Sequence, residues 1–244
     1  MKGNNINTQN PITKLLEENI LFEDNHLIII NKLPSQIVQG DKTGDRPLAD
    51  LVKDYIKVKY KKSGEVFLGV VHRLDRPVSG AVIFARTSKS LTRLNALIKN
   101  REIKKTYWAV VKNKPPMESD TLVNFLRRDE IRNKSFITGE KTKNAQQASL
   151  SYRLIGSSDN YYLLEIDLQT GRHHQIRAQL AAIGCPIKGD LKYGYPRSNS
   201  DGSIHLHARK LYFIHPVTHN PVSVTASSPY DPVWNYFEQN YTNI

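Results

Sequence analysis

Val71-His72-Arg73-Leu74-Asp75-Arg76-Pro77-Val78-Ser79-Gly80 sets one carboxylate among two arginines and a histidine, then ends in a proline and a Ser-Gly pair that interrupt regular structure. An Asp between arginines is ordinarily a solvated surface pair of small energetic worth. Here the flanks change that reading. Val66-Phe67-Leu68-Gly69-Val70-Val71 before it and Ala81-Val82-Ile83-Phe84-Ala85 after it are apolar and β-prone, which predicts a short charged knot between two buried segments. Charge held against a core costs desolvation and is kept where it is used. Asp75 is therefore the residue around which the rest of the chain is read.

Outward from the knot, Ile20 to Asn31 predicts a hairpin turning at Glu23-Asp24-Asn25, with Leu27 to Ile30 as a buried strand. Leu48, Leu51, Val52, Tyr55 and Ile56 follow Pro47 at helical spacing. Ala81 to Arg86 reads as a strand and Ser88 as the N-cap of a helix turning Leu91, Leu94, Leu97 and Ile98 inward. Lys104 to Lys112 is the next strand. Residues 113–147 are polar and rich in turn formers and read as a long irregular excursion, a feature compact domains keep mainly for binding. Ala148 to Ile155 and Tyr161 to Leu168 form a second hairpin, and a helix follows with Ile176, Leu180 and Ile183 buried and Gly184 as its stop. His205 to Ile214 alternates again, His215-Pro216 breaks it, and Asp231-Pro232 opens a terminal helix with Trp234 and Phe237 inward. The expectation is an α+β fold with a mixed, mostly antiparallel sheet and flanking helices.

The 244 residues suffice for one catalytic domain, expected over 12–244 behind a flexible leader at 1–11. Lysine and arginine number 35 against 23 aspartates and glutamates, a formal charge of +12, which favours an anionic partner and nucleic acid first. A single cysteine, Cys185, excludes an internal disulfide framework and a thiolate-rich zinc site, and fits a reducing, cytoplasmic setting. No apolar run reaches bilayer-spanning length.

Four further blocks complete the pattern around Asp75: Lys105-Thr106-Tyr107-Trp108-Ala109, Thr170-Gly171-Arg172-His173-His174-Gln175-Ile176-Arg177, Gly189-Asp190-Leu191-Lys192-Tyr193-Gly194, and Leu206-His207-Ala208-Arg209-Lys210-Leu211-Tyr212-Phe213-Ile214-His215-Pro216. With His72-Arg73-Leu74-Asp75 and Ser79-Gly80, this ordered set resembles the RluA-type pseudouridine synthases, with matching blocks over roughly 27–217. The set is specific where one four-residue motif would not be. Departures are the loosely matching Asn31-Lys32-Leu33-Pro34-Ser35-Gln36 segment, Val78 for a common Thr, and Gln179 for a usual His.

The resemblance implies an isomerase that flips a uridine out of structured RNA, cuts its N1–C1′ bond and rejoins the base through C5, with ribosomal RNA favoured over transfer RNA. It implies Asp75 as the catalytic carboxylate, Tyr107 as the aromatic stacked on the flipped base, and Arg177 as the cation that keeps Asp75 charged and aimed. Arg73, His72, Arg172 and Ile176 are implied at the substrate, Arg73 filling the space the nucleotide leaves. No metal and no cofactor are implied; the stretch before Ile20 is expected to be too short for the small N-terminal RNA-binding domain that some relatives carry, and the expected state is a monomer in the cytoplasm. An Asp beside a guanidinium holds its charge when partly desolvated, and a carboxylate facing oxocarbenium-like character is the chemistry glycosidases use. Two other readings compete. His173-His174, His205, His207 and Asp190 could build a metal hydrolase site. The basic charge with interleaved tyrosines could mark a non-catalytic RNA-binding module.

Overall fold

The computed structural model describes residues 16–241; the leader expected at 1–11 lies outside them. The first hairpin forms as its pattern requires, Ile20–Glu23 (β1) pairing antiparallel with Leu27–Lys32 (β2). Asp24 closes the turn, its Oδ1 accepting from the backbone N–H of His26 at 2.7 Å and Leu27 at 2.8 Å. The apolar stretch after the knot is strand Ser79–Ala85 (β4), buried at every position, with β2 along one edge and the short Gly69–Val70 (β3) on the other.

The remaining strands are Lys104–Val111 (β5), Ser119–Asp129 (β6), Lys134–Thr138 (β7), Gln146–Ser157 (β8), Tyr162–Leu168 (β9), Leu206–Ile214 (β10) and Pro221–Thr225 (β11). They join one sheet in the order β1-β2-β4-β10-β5-β9-β8-β6-β7, with β3 beside β4 and β11 beside β10. Helices Leu48–Lys59 (α1) and Gln175–Ala182 (α3) contribute Leu48, Val52, Tyr55, Ile56, Ile176 and Leu180 to a core shared with Ile28, Ile30, Val82, Phe84, Tyr107 and Ala109. Helix Ser88–Lys99 (α2) packs Leu94 against Ile83, Leu211 and Phe213, and Pro232–Tyr241 (α4) packs Trp234 and Phe237 against Trp108, Val110 and Leu163. Front and back faces are thus both covered, as a sheet apolar on both sides demands. The α+β expectation holds, and among the described residues the mostly antiparallel sheet has one parallel contact, β4 with β10.

That contact is short. Only His207↔Ser79 and Ala208↔Gly80 pair before β4 turns to β3 and β10 to β11. Buried Ser79 Oγ meets His207 Nδ1 at 2.8 Å and the Ala226 carbonyl lies 3.0 Å from His207 Nε2, so a neutral ring bolts the seam from both nitrogens. Gly80, at φ +114°, is the residue that lets the strands close. A Cβ there would lie 2.8 Å from the Ala208 carbonyl carbon and nearer still to its nitrogen and oxygen. Gly80→Ala is expected to cost about 3 kcal/mol or more, combining backbone strain with overpacking. Thermal melting checks this, and an unchanged midpoint would show that the seam can open by itself.

Three details differ from expectation. Thr87, not Ser88, caps α2, its side chain accepting from Ser90 N–H at 3.1 Å. Residues 113–147 are not irregular: β6 and β7 form a hairpin extending the sheet, with Leu122 and Leu126 turned inward. Asn124 lies between them and masks the alternation, its Oδ1 taking a 2.7 Å hydrogen bond from Gln179 Nε2 on α3. After the His215-Pro216 break the chain adds β11, whose Val222 and Val224 complete the α2-side core.

Candidate active site

Asp75 occupies the turn that feeds β4 into the seam, and every carbonyl of that turn is held. Val78 N–H donates to the Asp75 carbonyl at 3.0 Å, Ser35 N–H to Arg76 at 2.9 Å and Ile204 N–H to Pro77 at 3.1 Å. Beneath it lies Lys32, wholly buried, whose ammonium donates to the carbonyls of Leu33 at 2.9 Å, Gln36 at 2.8 Å and Arg76 at 3.2 Å. Burial lowers its pKa to about 7, with nearby Asp75 acting the other way. Three acceptors match the three N–H groups of a charged ammonium. Arg76 turns away, pairing with Asp45 at 2.6 Å.

Arg177 reaches the same place from α3. Its Nε and Nη2 bind Asp190 Oδ2 and Oδ1 at 2.7 and 2.8 Å, a bidentate pair in which Arg177 is 5% and Asp190 1% exposed. The remaining Nη1 donates to Asp75 Oδ2 at 3.1 Å and to His174 Nε2 at 2.9 Å. One planar fork therefore ties α3, the loop before Leu191 and the Asp75 turn together, which a lysine could not do. Asp75 keeps 33% of its side-chain surface, so the carboxylate is held yet reachable.

His174 defines the back of the site, with φ +51° at the start of α3. Its Nδ1 lies 3.0 Å from the Tyr193 hydroxyl, which bonds the Ser135 backbone, and its ring stacks on His173 at 3.8 Å. Burial, then Arg177, push its pKa down to about 2. The 3.3 Å approach of His174 Nε2 to Asp75 Oδ2 is accordingly not an ion pair: a neutral ring accepts from Arg177 and gives its proton to Tyr193. Among the described residues, no three His, Cys, Asp or Glu groups gather as a metal site requires. The cluster the metal reading needed is dispersed, with Asp190 on Arg177, His207 on Ser79 and Ala226, and His205 on Asp231 at 2.9 Å.

Tyr107 on β5 is buried in the core that holds Leu74 and Ile176. Burial first and Asp75 second push its hydroxyl pKa upward, so it remains a protonated phenol beside the carboxylate. The structure brings Asp75, Tyr107, Arg177 and Ile176 to one place. Arg73 is exposed on the same turn. His72 instead accepts the Ile83 backbone N–H on Nε2 at 3.2 Å, and burial lowers its pKa to about 3, which makes it a bolt on β4. Arg172 donates from Nε to the Gln147 carbonyl at 3.0 Å at the edge of β8. Lys32 escaped sequence reasoning as a site residue, and His174 and Asp190 entered it only as ligands of the competing metal reading; the Asn-Lys and Gly-Asp blocks carried the signal without assigning it.

Buried neutral histidines make the fold acid-sensitive. His72, His174 and His207, lowered chiefly by burial to about 3, about 2 and about 4, stay neutral in the folded chain where an unfolded chain protonates near 6.5. Stability is full above pH 6.5 and falls as pH drops towards the folded values. Three protons give a slope of about 4 kcal/mol per pH unit near pH 5. Urea denaturation from pH 7.5 to 5 measures it, and a flat profile would mean these rings are charged or exposed.

A family model described as RNA pseudouridylate synthase matches residues 26–182. The chain is 30% identical over 223 residues to a ribosomal large subunit pseudouridine synthase D of Zymomonas mobilis, covering 87% of this chain and 69% of that one. It is 29% identical over 236 residues to a tRNA pseudouridine synthase C of Vibrio cholerae, covering 88% and 92%. In fold it is similar to the solved human RNA Pseudouridylate Synthase Domain Containing 4, with TM-score 0.75, 24% identity, and 93% and 94% covered.

Proposed function

The chain belongs to the RNA pseudouridylate synthase family and is an RNA-modifying isomerase; from that premise we propose that Asp75 attacks the sugar of a uridine flipped from structured RNA, ribosomal RNA first. The observation that carries this reading is the bridge Asp75–Arg177–Asp190 beside buried Tyr107, a partly exposed carboxylate aimed by one N–H donor. The reaction conserves atoms: the N1–C1′ bond breaks, the uracil turns, C5 bonds to C1′, C5 loses its proton and N1 gains one. A C1′ adduct and removal of a sugar proton both begin from the Asp75 carboxylate. Tyr107, protonated, offers its ring to the uracil and a hydroxyl that donates rather than a phenolate base. Arg73, exposed on the Asp75 turn, is read as the side chain that fills the vacated space, and exposed Arg172 and buried Ile176 as further substrate contacts. His72 acts through β4 as a positioning residue.

The formal charge of +12 supports a polyanionic substrate, and the Zymomonas relative is named for the large ribosomal subunit. Transfer RNA has its own support in the Vibrio relative, whose length is 92% covered. Mapping pseudouridines in ribosomal and transfer RNA from cells with and without the gene decides between them. Loss of sites from large-subunit ribosomal RNA alone is expected; loss confined to transfer RNA would overturn the assignment, and no loss from any RNA would remove the activity.

A further inference from the structure

The β6–β7 hairpin ends in Asp129-Glu130-Ile131-Arg132-Asn133-Lys134, a turn in which polar residues are the rule. Ile131 is 99% exposed, the most open of the large apolar side chains among the described residues. Single exposed apolar residues are common and need no function by themselves. Three observations set this one apart. It is β-branched in a tight turn, where nothing in the folded chain rewards it. It stands among the cations Arg127, Arg128 and Arg132, all exposed, with Glu130 the exposed acid beside them and Asp129 Oδ2 3.8 Å from Arg132 Nε.

The third observation is the anchoring of the turn. Asn133 Oδ1 lies 3.1 Å from His173 Nε2, and the Asn133 carbonyl accepts from Lys192 Nζ at 3.0 Å. Ser135 N–H donates to the Tyr193 hydroxyl at 2.8 Å, Ser135 Oγ to the His173 carbonyl at 2.7 Å, and Lys134 Nζ stands 4.8 Å over the Tyr193 ring. His173 stacks on His174, and His174 touches Asp75. Ile131 is thus carried two residues beyond a rigid mount built on the back wall of the Asp75 site.

We propose that Ile131 is a wedge that enters the base stack of the RNA beside the extruded nucleotide, while the hairpin arginines grip the adjoining phosphates. This rests on the RNA-modifying reading above. Extruding a base leaves unstacked neighbours, and an apolar side chain between steps stabilises such a kink. A wedge must not yield when the stack pushes back, which is what the Asn133 and Ser135 anchors supply. The adjacent cations fit a phosphate-lined partner rather than a protein surface or a lipid tail.

The test uses the full-length enzyme and an RNA fragment bearing a uridine that the wild type is shown to modify in total RNA from gene-deleted cells. Ile131→Ala is expected to keep its melting temperature and to slow single-turnover pseudouridine formation by roughly tenfold, the loss of one stacking contact. Ile131→Leu restores the rate. Arg132→Ala instead lowers the salt slope of binding by about one. A wild-type rate for Ile131→Ala on purified RNA overturns the wedge, and if activity then fell only in cells, Ile131 would be a protein contact. A wild type that modified no uridine would overturn the functional reading and the wedge with it.

Discussion

Asp75→Asn is expected to bind RNA as the wild type does and to form pseudouridine slower by at least about a thousandfold. The amide matches the carboxylate in shape, so the turn, held by its backbone carbonyls, does not change. What goes is the negative charge that attacks or stabilises the sugar. Binding survives because affinity for a polyanion comes from the many lysines and arginines. Nucleoside analysis after single-turnover reaction reads the rate and a filter-binding titration the affinity. Undiminished product would remove Asp75 from the chemistry.

Arg177→Lys is the second large effect, and the instructive one. Four N–H bonds leave the guanidinium in a plane, two to Asp190, one to Asp75 and one to His174. An ammonium has three N–H groups on one atom and cannot span both carboxylates. Turnover is expected to fall roughly a hundredfold through misplacement of Asp75, with affinity altered by no more than about threefold. Stability falls too, because Asp190, 1% exposed, loses its bidentate partner. Full truncation, Arg177→Ala, is expected to cost about 3–5 kcal/mol by stranding that buried charge. The pair of variants separates aim from fold, since Lys retains a cation. Should Arg177→Lys weaken binding at an unchanged rate, Arg177 would be a phosphate contact and not the orienting group.

Much of the architecture was legible because its signals are local. The run Ala81 to Ala85 is apolar throughout and can only be a strand buried on both faces; Leu48, Val52, Tyr55 and Ile56 can only line one side of a helix. The β6–β7 hairpin was not legible, because a polar Asn124 bonded to a buried Gln179 occupies the position where alternation should place a hydrophobe. β11 begins at a proline and exposes three of its five residues, so its inward Val222 and Val224 are too few to announce it. In the site, the motifs pointed to Asp75, Tyr107 and Arg177, and the structure sets the three side by side. Lys32 was missed, and His174 and Asp190 were read only as ligands of the competing metal site, because their roles exist only across the fold: Lys32 acts 44 residues away on the Arg76 carbonyl, and His174 acts through a left-handed backbone and a neutral ring.

The seam between β4 and β10 bears on what an incompletely folded chain can do. Asp75 hangs from β4, while Tyr107 belongs to β5 and Arg177 to α3, on the far side of a junction only two residue pairs long. The hairpin arginines and their mount lie wholly on that far side. A molecule whose seam has opened can therefore still cling to nucleic acid through its cations, but its carboxylate stands apart from the groups that aim it. Cutting a glycosidic bond without rejoining it would leave an abasic lesion. Folding and chemistry are coupled at that junction, since the groups that aim Asp75 come to it only where the two halves of the sheet meet.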